Sequence, residues 1–191
     1  MSVYRESLNE YLQNLEVHAD NVCDVGGASN PVKDLVKVWD VKNYGILDNS
    51  IEDPIAEFDE FDLNTTFVSK GYQGFFDTVF CLDVMEYVYN PVHAMRQLAD
   101  MLTDDGILYI TFNTLYPVHN PADYDYLRYT RQGVDKLLDI SGLKVIESKV
   151  RMIRHQEMYK DYVKAEGYKV RGALKKGVLY DAGYIIKAVR K

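Results

Sequence analysis

The sequence is poor in cysteine and histidine, with two and four copies in 191 residues. The histidines have no cysteine or histidine neighbour at the spacing of zinc ligands, so we expect no metal site. Cys23 and Cys81 each lie within an apolar run. This placement favours buried, reduced thiols and argues against a disulfide framework or a reactive pair.

Long apolar runs are also missing, and none approaches the roughly 20 residues that a membrane-spanning helix needs. The polar start MSVYRESLNEYLQNL differs from a basic leader followed by an apolar core. We therefore expect a cytoplasmic protein without a membrane segment. The length and the 47% hydrophobic content suit a single domain over residues 1–191.

Charge is distributed unevenly along the chain, whose net charge is −7. Residues 1–148 carry 10 basic and 25 acidic side chains, whereas residues 149–191 carry 12 basic and 4 acidic ones. Two explanations stay open: the basic tail packs on the acidic body, or it faces an anionic acceptor or partner. Nucleic-acid binding is the less favoured choice, because it usually requires a continuous basic surface.

Apolar periodicity predicts helices that alternate with strands. Helices are predicted at 3–15 and after Asn30-Pro31, Asn90-Pro91 and Thr130. Strands are predicted at 21–25, 44–48, 76–82, 107–112, 143–150 and 181–191, with 36–41 as a competitor for the second. This alternation indicates an α/β fold with a mainly parallel sheet and helices on both faces. Between the last two strands, the basic stretch 154–180 is too long for a tight hairpin and predicts an inserted helix or flap.

The dinucleotide fingerprint GxGxxG is absent from the turn that follows the first predicted strand. Ligands of α/β sheets bind beyond the carboxyl ends of the strands, and this strand ends in CDVGGASN. Gly26 and Gly27 permit a tight turn there, and Ala28 keeps its surface small. A carboxylate at Asp24 would repel a phosphate but hydrogen-bond an ammonium group. The turn therefore favours a cationic nucleoside over a pyrophosphate cofactor.

Three segments together resemble the class I S-adenosylmethionine-dependent methyltransferases. DVGGASN is similar to their first motif, FDTVFCLDVMEYVYNP to their fourth-strand block and DDGILYITF to their fifth strand. The resemblance spans about residues 20–148 and the final strand. It implies a Rossmann-like, seven-stranded sheet with an antiparallel last strand, and S-adenosylmethionine as cofactor. The family usually has E-x-x-E-H in its fourth-strand block, so Asp83 and Tyr87 depart from the pattern.

The resemblance also implies which residues bind the methionine and ribose parts of the cofactor. Asp24 would hold the methionine ammonium, while Gly26, Gly27 and Ala28 would let the backbone approach closely. Asp48, at the end of the preferred second strand, would bind the ribose hydroxyls. Asp40 is the alternative if the strand lies at 36–41.

The remaining cofactor contacts would come from two later segments. Asp62 would accept a hydrogen bond from the adenine amino group, and Leu63 would pack on the ring. Leu82 and Asp83, at the end of the fourth strand, would line the methionine side of the cleft.

The segment after the fifth strand, NTLYPVHNPADYDYLRYTR, should lie over the cleft and bind the acceptor. His119 is the best general-base candidate because histidine titrates near neutrality. Tyr126 and Arg128 are the other catalytic candidates. The segment resembles a D-Y-x-R-x-T block of methyltransferases that are often linked to sugar or surface-glycan modification.

The predicted reaction is in-line transfer of a methyl group to a small-molecule or glycan acceptor, in which placement of the nucleophile supplies much of the catalysis. A non-catalytic cofactor-binding subunit and a methyltransferase acting on nucleic acid or another anionic acceptor stay open. A nicotinamide oxidoreductase and a transferase that uses an altered sulfonium also stay open as alternative functions. The sequence does not predict the acceptor or the oligomeric state.

Overall fold

The computed structural model describes residues 3–49, 58–68, 71–118, 121–151, 165 and 182–191. Its α-helices are α1 (Val3–Leu12), α2 (Pro91–Met101) and α3 (Arg131–Ile140). Its strands are β1 (Glu16–Val25), β2 (Val38–Asp48), β3 (Phe58–Glu60), β4 (Phe76–Cys81), β5 (Leu102–Asn113), β6 (Leu143–Arg151) and β7 (Gly183–Arg190). Apart from residue 165, the predicted basic insertion at 154–180 lies outside the described residues, as does His119.

The strands form one sheet in the order β3-β2-β1-β4-β5-β7-β6. β7 runs antiparallel to both of its neighbours, and the other pairs are parallel. The chain moves outward from β1 to β3 and then returns to β4 on the other side of β1. This reversal makes the β1/β4 junction the place where such sheets bind ligands. The α/β Rossmann-like fold expected from the sequence is confirmed.

Helices cover both faces of this sheet. On one face, Leu8 and Leu12 of α1 pack with Phe80 of β4 in a buried cluster. On the other face, α2 and α3 supply Met95 and Leu138 to a second cluster. Side chains of β4 belong to both clusters, so apolar layers cover this strand on both faces, which explains its nearly continuous apolar sequence.

The second strand is longer than either predicted alternative. β2 begins at Val38 and ends at Asp48, so it contains most of 36–41 and all of 44–48. It pairs with β1 from the Glu16–Val38 pair through to the Val25–Leu47 pair. The two boundary predictions failed because each followed one apolar stretch, whereas pairing with a ten-residue β1 holds both stretches in one strand.

The helix predicted after Asn30-Pro31 is only a 3-10 turn, Val32–Asp34. Pro31 occupies the position before this turn and not the first helical position. A full helix does not fit because the chain enters β2 at Val38. The predicted start of α3 is correct: Thr130 caps it by accepting a hydrogen bond from the Gly133 N–H at 3.2 Å.

Cys23 and Cys81 are buried and carry free thiols, as predicted. They lie on the neighbouring strands β1 and β4. Burial raises the pKa of the Cys23 thiol well above its usual range. No helix in the described parts of the chain is long and apolar enough to cross a membrane.

Candidate functional site

The turn after β1 is built around the buried carboxylate of Asp24. Its Oδ2 accepts hydrogen bonds from the Val32 N–H and the Tyr44 hydroxyl, each at 2.8 Å. A Cβ on Gly27 would collide with this carboxylate, so only glycine lets the chain pass over it. Burial raises the pKa of Asp24 to about 6, although the two donors oppose the shift. The carboxylate therefore organises the whole turn.

Gly26 brings the same turn against two other elements. Its N–H donates a hydrogen bond to the Leu47 carbonyl at 2.7 Å, and its φ is +78°. A side chain here would be strained and would also collide with Val84, in the loop after β4. The turn thus lies directly between the carboxyl ends of β2 and β4.

Asp48 ends β2 beside this turn. Its Oδ2 accepts a hydrogen bond from the Ala28 N–H at 3.2 Å, and its Oδ1 accepts one from the Asn49 N–H at 2.8 Å. Asp40 lies in the other half of β2, where it pairs with His18 and its side chain is 79% exposed. Asp40 and Asp48 are eight positions apart along an extended strand, which corresponds to roughly 26 Å between their Cα atoms. Only Asp48 is brought to the glycine turn.

Asp62 lies in a turn that is tied to the end of β2, because the Phe61 N–H donates a hydrogen bond to the Asp48 carbonyl at 2.6 Å. The Asp62 carboxylate accepts hydrogen bonds from the Asn64 N–H at 2.9 Å and the Thr65 hydroxyl at 3.2 Å. It thereby stabilises its own turn. The Leu63 side chain is buried in the core on the α2 side.

Asp83 follows β4 and has a φ of 56°, a conformation that is uncommon outside glycine. Its carboxylate binds two arginines, Arg5 of α1 at 2.8 Å and Arg151 of β6. Although burial acts in the opposite direction, the arginines hold the pKa of Asp83 below its usual range. Leu82, which precedes it, is half-buried against the core on the α1 side.

Arg151 is completely buried although it carries a full charge. Its guanidinium lies 3.5 Å from the centre of the Tyr4 ring and also donates a hydrogen bond to the Tyr4 carbonyl. The Tyr4 hydroxyl donates to Oδ1 of Asn113, at the end of β5. These contacts join α1, β5 and β6 around the Asp83 carboxylate.

Glu86 is a second buried acid at this end of the sheet, 1% exposed. Its Oε1 accepts a hydrogen bond from Asn113 Nδ2 at 2.7 Å. Its backbone carbonyl accepts hydrogen bonds from the N–H groups of Tyr126 and Leu127, which fixes the segment after β5. Burial, and then repulsion from Asp83, raise the pKa of Glu86 to about 7.

A cavity of about 470 Å³ lies at these carboxyl ends. α1, the turn after β1, the loop after β4 and the end of β5 each contribute to its wall. Its lining includes Tyr4, Arg5, Asn30, Asp83, Glu86 and Asn113. A cavity of this volume, placed at the β1/β4 junction and lined by converging polar groups, suits a small ligand.

A family model described as a methyltransferase domain matches residues 2–170. This chain belongs to the methyltransferase domain family. The resemblance identified in the sequence is thereby confirmed. No curated protein matches the sequence.

Several solved structures share the fold of this methyltransferase at low sequence identity. An S-adenosylmethionine-dependent methyltransferase from Mesorhizobium loti is 13% identical, with a TM-score of 0.64 over 100% of this chain and 98% of that one. A 1,6-didemethyltoxoflavin-N1-methyltransferase from Burkholderia thailandensis, solved with its substrate and S-adenosylhomocysteine, is 12% identical, with a TM-score of 0.63 over 99% and 78%. The [4+2]-cyclase SpnF is also 12% identical, with a TM-score of 0.62 over 97% and 80%.

The segment after β5 of this methyltransferase is braced by Arg128. Its guanidinium binds the Asp125 carboxylate at 2.6 Å and donates hydrogen bonds to the carbonyls of Tyr116 at 3.1 Å and Pro117 at 3.2 Å. Tyr126 is 44% exposed and its ring meets that of Tyr89 edge-on. Neither Tyr126 nor Arg128 is among the residues that line the cavity.

Reasoning from the sequence missed several residues that line the cavity, among them Tyr4, Arg5, Glu86 and Asn113. It also missed Arg151, which binds the Asp83 carboxylate. A signal existed for Glu86, because it matches the second glutamate of the family's E-x-x-E-H pattern. Arg5 and Arg151 had no such signal. They meet Asp83 only after α1 and β6 have packed, and neither lies in a motif.

Proposed function

We propose that this methyltransferase transfers a methyl group from S-adenosylmethionine to a small-molecule or glycan acceptor that enters the 470 Å³ cavity. The observation that carries the proposal is that three features lie side by side at the carboxyl ends of the strands. Asp48 binds the Ala28 N–H of the glycine turn, and Asn30 from the same turn lines the cavity. When bound, the cofactor supplies an electrophilic methyl group on a positively charged sulfur.

The glycine turn fits this cofactor. Val84 and Asp24 occupy the space that side chains at Gly26 and Gly27 would need, so the turn consists of bare backbone at both positions. A nucleoside would lie along this turn together with Ala28. Among the described residues, Oδ1 of Asp24 accepts no hydrogen bond, and we assign it to the methionine ammonium. Asp48 would bind the ribose hydroxyls, because its carboxylate ends β2 next to the turn.

The adenine and methionine ends of the cofactor would follow from neighbouring segments. We assign the adenine amino group to Asp62 and the face of the ring to Leu63, on a turn tied to Asp48 by the Phe61 N–H. Leu82 and Asp83 would flank the methionine. Arg5 and Arg151 neutralise Asp83, so its proposed role is to hold the cavity wall in place.

The acceptor side is assigned to residues 116–129. Tyr126 presents exposed aromatic surface for the acceptor, and Arg128 positions the segment through Asp125 and two backbone carbonyls. The role of His119 as a base stays a prediction, because this residue lies outside the described residues. A small-molecule acceptor is supported by the Burkholderia thailandensis neighbour, whose substrate is 1,6-didemethyltoxoflavin.

Calorimetric titration with S-adenosylhomocysteine, followed by a screen for transfer of radiolabelled methyl groups, tests the proposal. We expect one S-adenosylhomocysteine per chain and a rise in melting temperature at saturation. Stabilisation by NAD or NADP in place of S-adenosylhomocysteine would overturn it. Cofactor binding with no transfer to any small molecule or glycan would restrict the protein to a binding role.

A further inference from the structure

One oxygen of the buried Glu86 carboxylate lacks a hydrogen-bond partner among the described residues. Asn113 donates a hydrogen bond to Oε1 of Glu86, whereas its buried Oε2 has no hydrogen-bond partner in the part of the chain that the structure describes. Leaving a buried carboxyl oxygen without a donor is costly, and native proteins rarely do so without a functional reason. A hydrogen-bond donor from outside the described fold would satisfy this oxygen.

The cavity is the place from which such a donor can come, because Glu86 forms part of its wall. Asn30, from the glycine turn, lines the same cavity, so a group held there lies near the proposed methyl donor. The Glu86 carbonyl also anchors the N–H groups of Tyr126 and Leu127. Glu86 therefore connects the cofactor side of the cleft to the segment proposed to bind the acceptor.

We propose that Glu86 is the catalytic proton acceptor of this methyltransferase and that its acceptor substrate carries an N–H or O–H at the nucleophilic atom. The inference rests on the proposed function. As the acceptor's nitrogen or oxygen forms its bond to the methyl carbon, the sulfur–methyl bond breaks and its electron pair remains on sulfur. The acceptor's proton passes to Oε2 of Glu86, which later releases it to water.

The surroundings of Glu86 suit this role. Titratable and charged groups from several of the described elements interact with it. They are Asp83 and Cys81 from β4 and its loop, Tyr87 from its own turn, Tyr4 from α1, Arg151 from β6, and Arg128 and Tyr129 from the segment after β5. Burial and Asp83 raise the pKa of Glu86, and they outweigh its own backbone N–H, Asn113 of β5 and Arg151, which lower it. Glu86 therefore changes protonation state close to neutral pH, as an efficient proton acceptor does.

The proposal separates two classes of substrate. Amines, amides, phenols and alcohols bring the hydrogen that Oε2 needs. Thioethers and fully substituted nitrogens do not, and they would leave the buried oxygen unsatisfied in the complex. Either a nitrogen or an oxygen nucleophile meets the requirement, and the probes below distinguish the two.

Carbon-13 NMR of glutamate-labelled protein saturated with S-adenosylhomocysteine gives a test independent of turnover. The Glu86 carboxyl signal is assigned by its absence in Glu86→Gln. We expect it to titrate at about pH 7 and to shift when benzylamine or phenol is added. The matched probes benzyltrimethylammonium and anisole keep the aromatic ring but carry no hydrogen on nitrogen or oxygen, and they should leave the signal unchanged.

Several outcomes decide the question. A response to neither proton-bearing probe, or an equal response to the matched probes, overturns the inference. If S-adenosylhomocysteine does not bind the wild type, the proposed function fails first. If it binds and the Glu86 carboxyl signal responds to neither benzylamine nor phenol, only the present inference fails. Glu10→Gln, an exposed substitution on α1, controls for loss of a carboxylate elsewhere.

Methyl transfer to whichever probe shifts Glu86 supplies the catalytic readout. The wild-type rate should rise with pH up to about pH 7 and then level off. Glu86→Gln should lower the rate roughly a hundredfold and flatten the profile, with S-adenosylhomocysteine affinity kept. A Glu86→Gln protein with the wild-type rate and profile, or a wild type that never methylates the responding probe, contradicts the role.

Discussion

Arg5 of α1 and Asp83 after β4 form an ion pair of 2.8 Å between residues 78 positions apart in the chain. The pair closes α1 over the carboxyl end of the sheet and forms part of the cavity wall. Arg151 binds the same carboxylate from the opposite terminal part of the chain. Asp83 therefore links the N-terminal helix to the late strands at the site itself.

Asp83→Asn should destabilise the protein strongly. Asparagine tolerates the positive φ of this position, so the substitution mainly removes charge and leaves the buried Arg151 without its carboxylate. Losing one partner of a buried pair typically costs about 3–5 kcal/mol, which urea unfolding would measure. Asp135→Asn is the control, because its pair with Arg131 is exposed and should contribute less than about 1 kcal/mol.

The same ion pair should make the folded protein less stable at low pH. The pKa of Asp83 is lowered in the fold, so its contribution is complete above the unfolded-state pKa of about 3.9 and is lost as pH falls through the folded value. The difference in unfolding free energy between wild type and Asp83→Asn should shrink in acid. An unchanged difference at low pH would show that charge is not the cause.

Asp24→Asn should separate stability from cofactor binding. Burial raises the pKa of Asp24 to about 6, so its stabilising effect is present below the unfolded value and is lost as pH rises through about 6. An asparagine oxygen can still accept from Val32 and Tyr44. The unliganded variant should therefore be as stable as the wild type near pH 7, or more stable by up to about 3 kcal/mol.

Cofactor binding should respond in the opposite sense. If Asp24 holds the methionine ammonium, wild-type affinity for S-adenosylhomocysteine rises as pH increases through about 6, where the carboxylate becomes charged. Asp24→Asn should weaken binding by about 1.5–3 kcal/mol and remove this pH dependence. Calorimetry on a variant shown to be folded measures both, and unchanged affinity would reject the assignment.

Asp48 and Asp40 lie on the same strand, β2, so the same substitution at each position gives a matched comparison. Asp48→Asn should reduce S-adenosylhomocysteine affinity roughly tenfold or more, because it disturbs both the proposed ribose contact and the bond to the Ala28 N–H. Asp40→Asn changes an exposed residue paired with His18 and should leave affinity unchanged. The reverse order, or two equally small effects, would contradict the ribose assignment.

Local signals in the sequence predicted the parts of the site that lie next to one another in the chain. The glycine turn and the Thr130 cap each depend on a few consecutive residues, and both were located correctly. The extent of β2 was not, because pairing along the whole of β1 determines it. Asp83 was expected only to line the cleft, since its arginine partners come from distant elements.

Arg128→Lys should lower turnover more than cofactor affinity. Lysine keeps the charge but cannot reproduce the planar contacts to Asp125 and to the Tyr116 and Pro117 carbonyls, so the acceptor segment loses its brace. Tyr126→Ala should act similarly by removing exposed aromatic surface. Methyl-transfer rates and calorimetry on the same preparations test this, and parallel losses of binding and activity would assign the segment to the cofactor.

A crystal structure with S-adenosylhomocysteine bound tests the central claim most directly. The account predicts the ribose hydroxyls on Asp48, the ammonium at Asp24 and the sulfur directed into the cavity that contains Glu86. The ligand bound away from the β1/β4 junction, or its sulfur turned away from the cavity, would contradict the account.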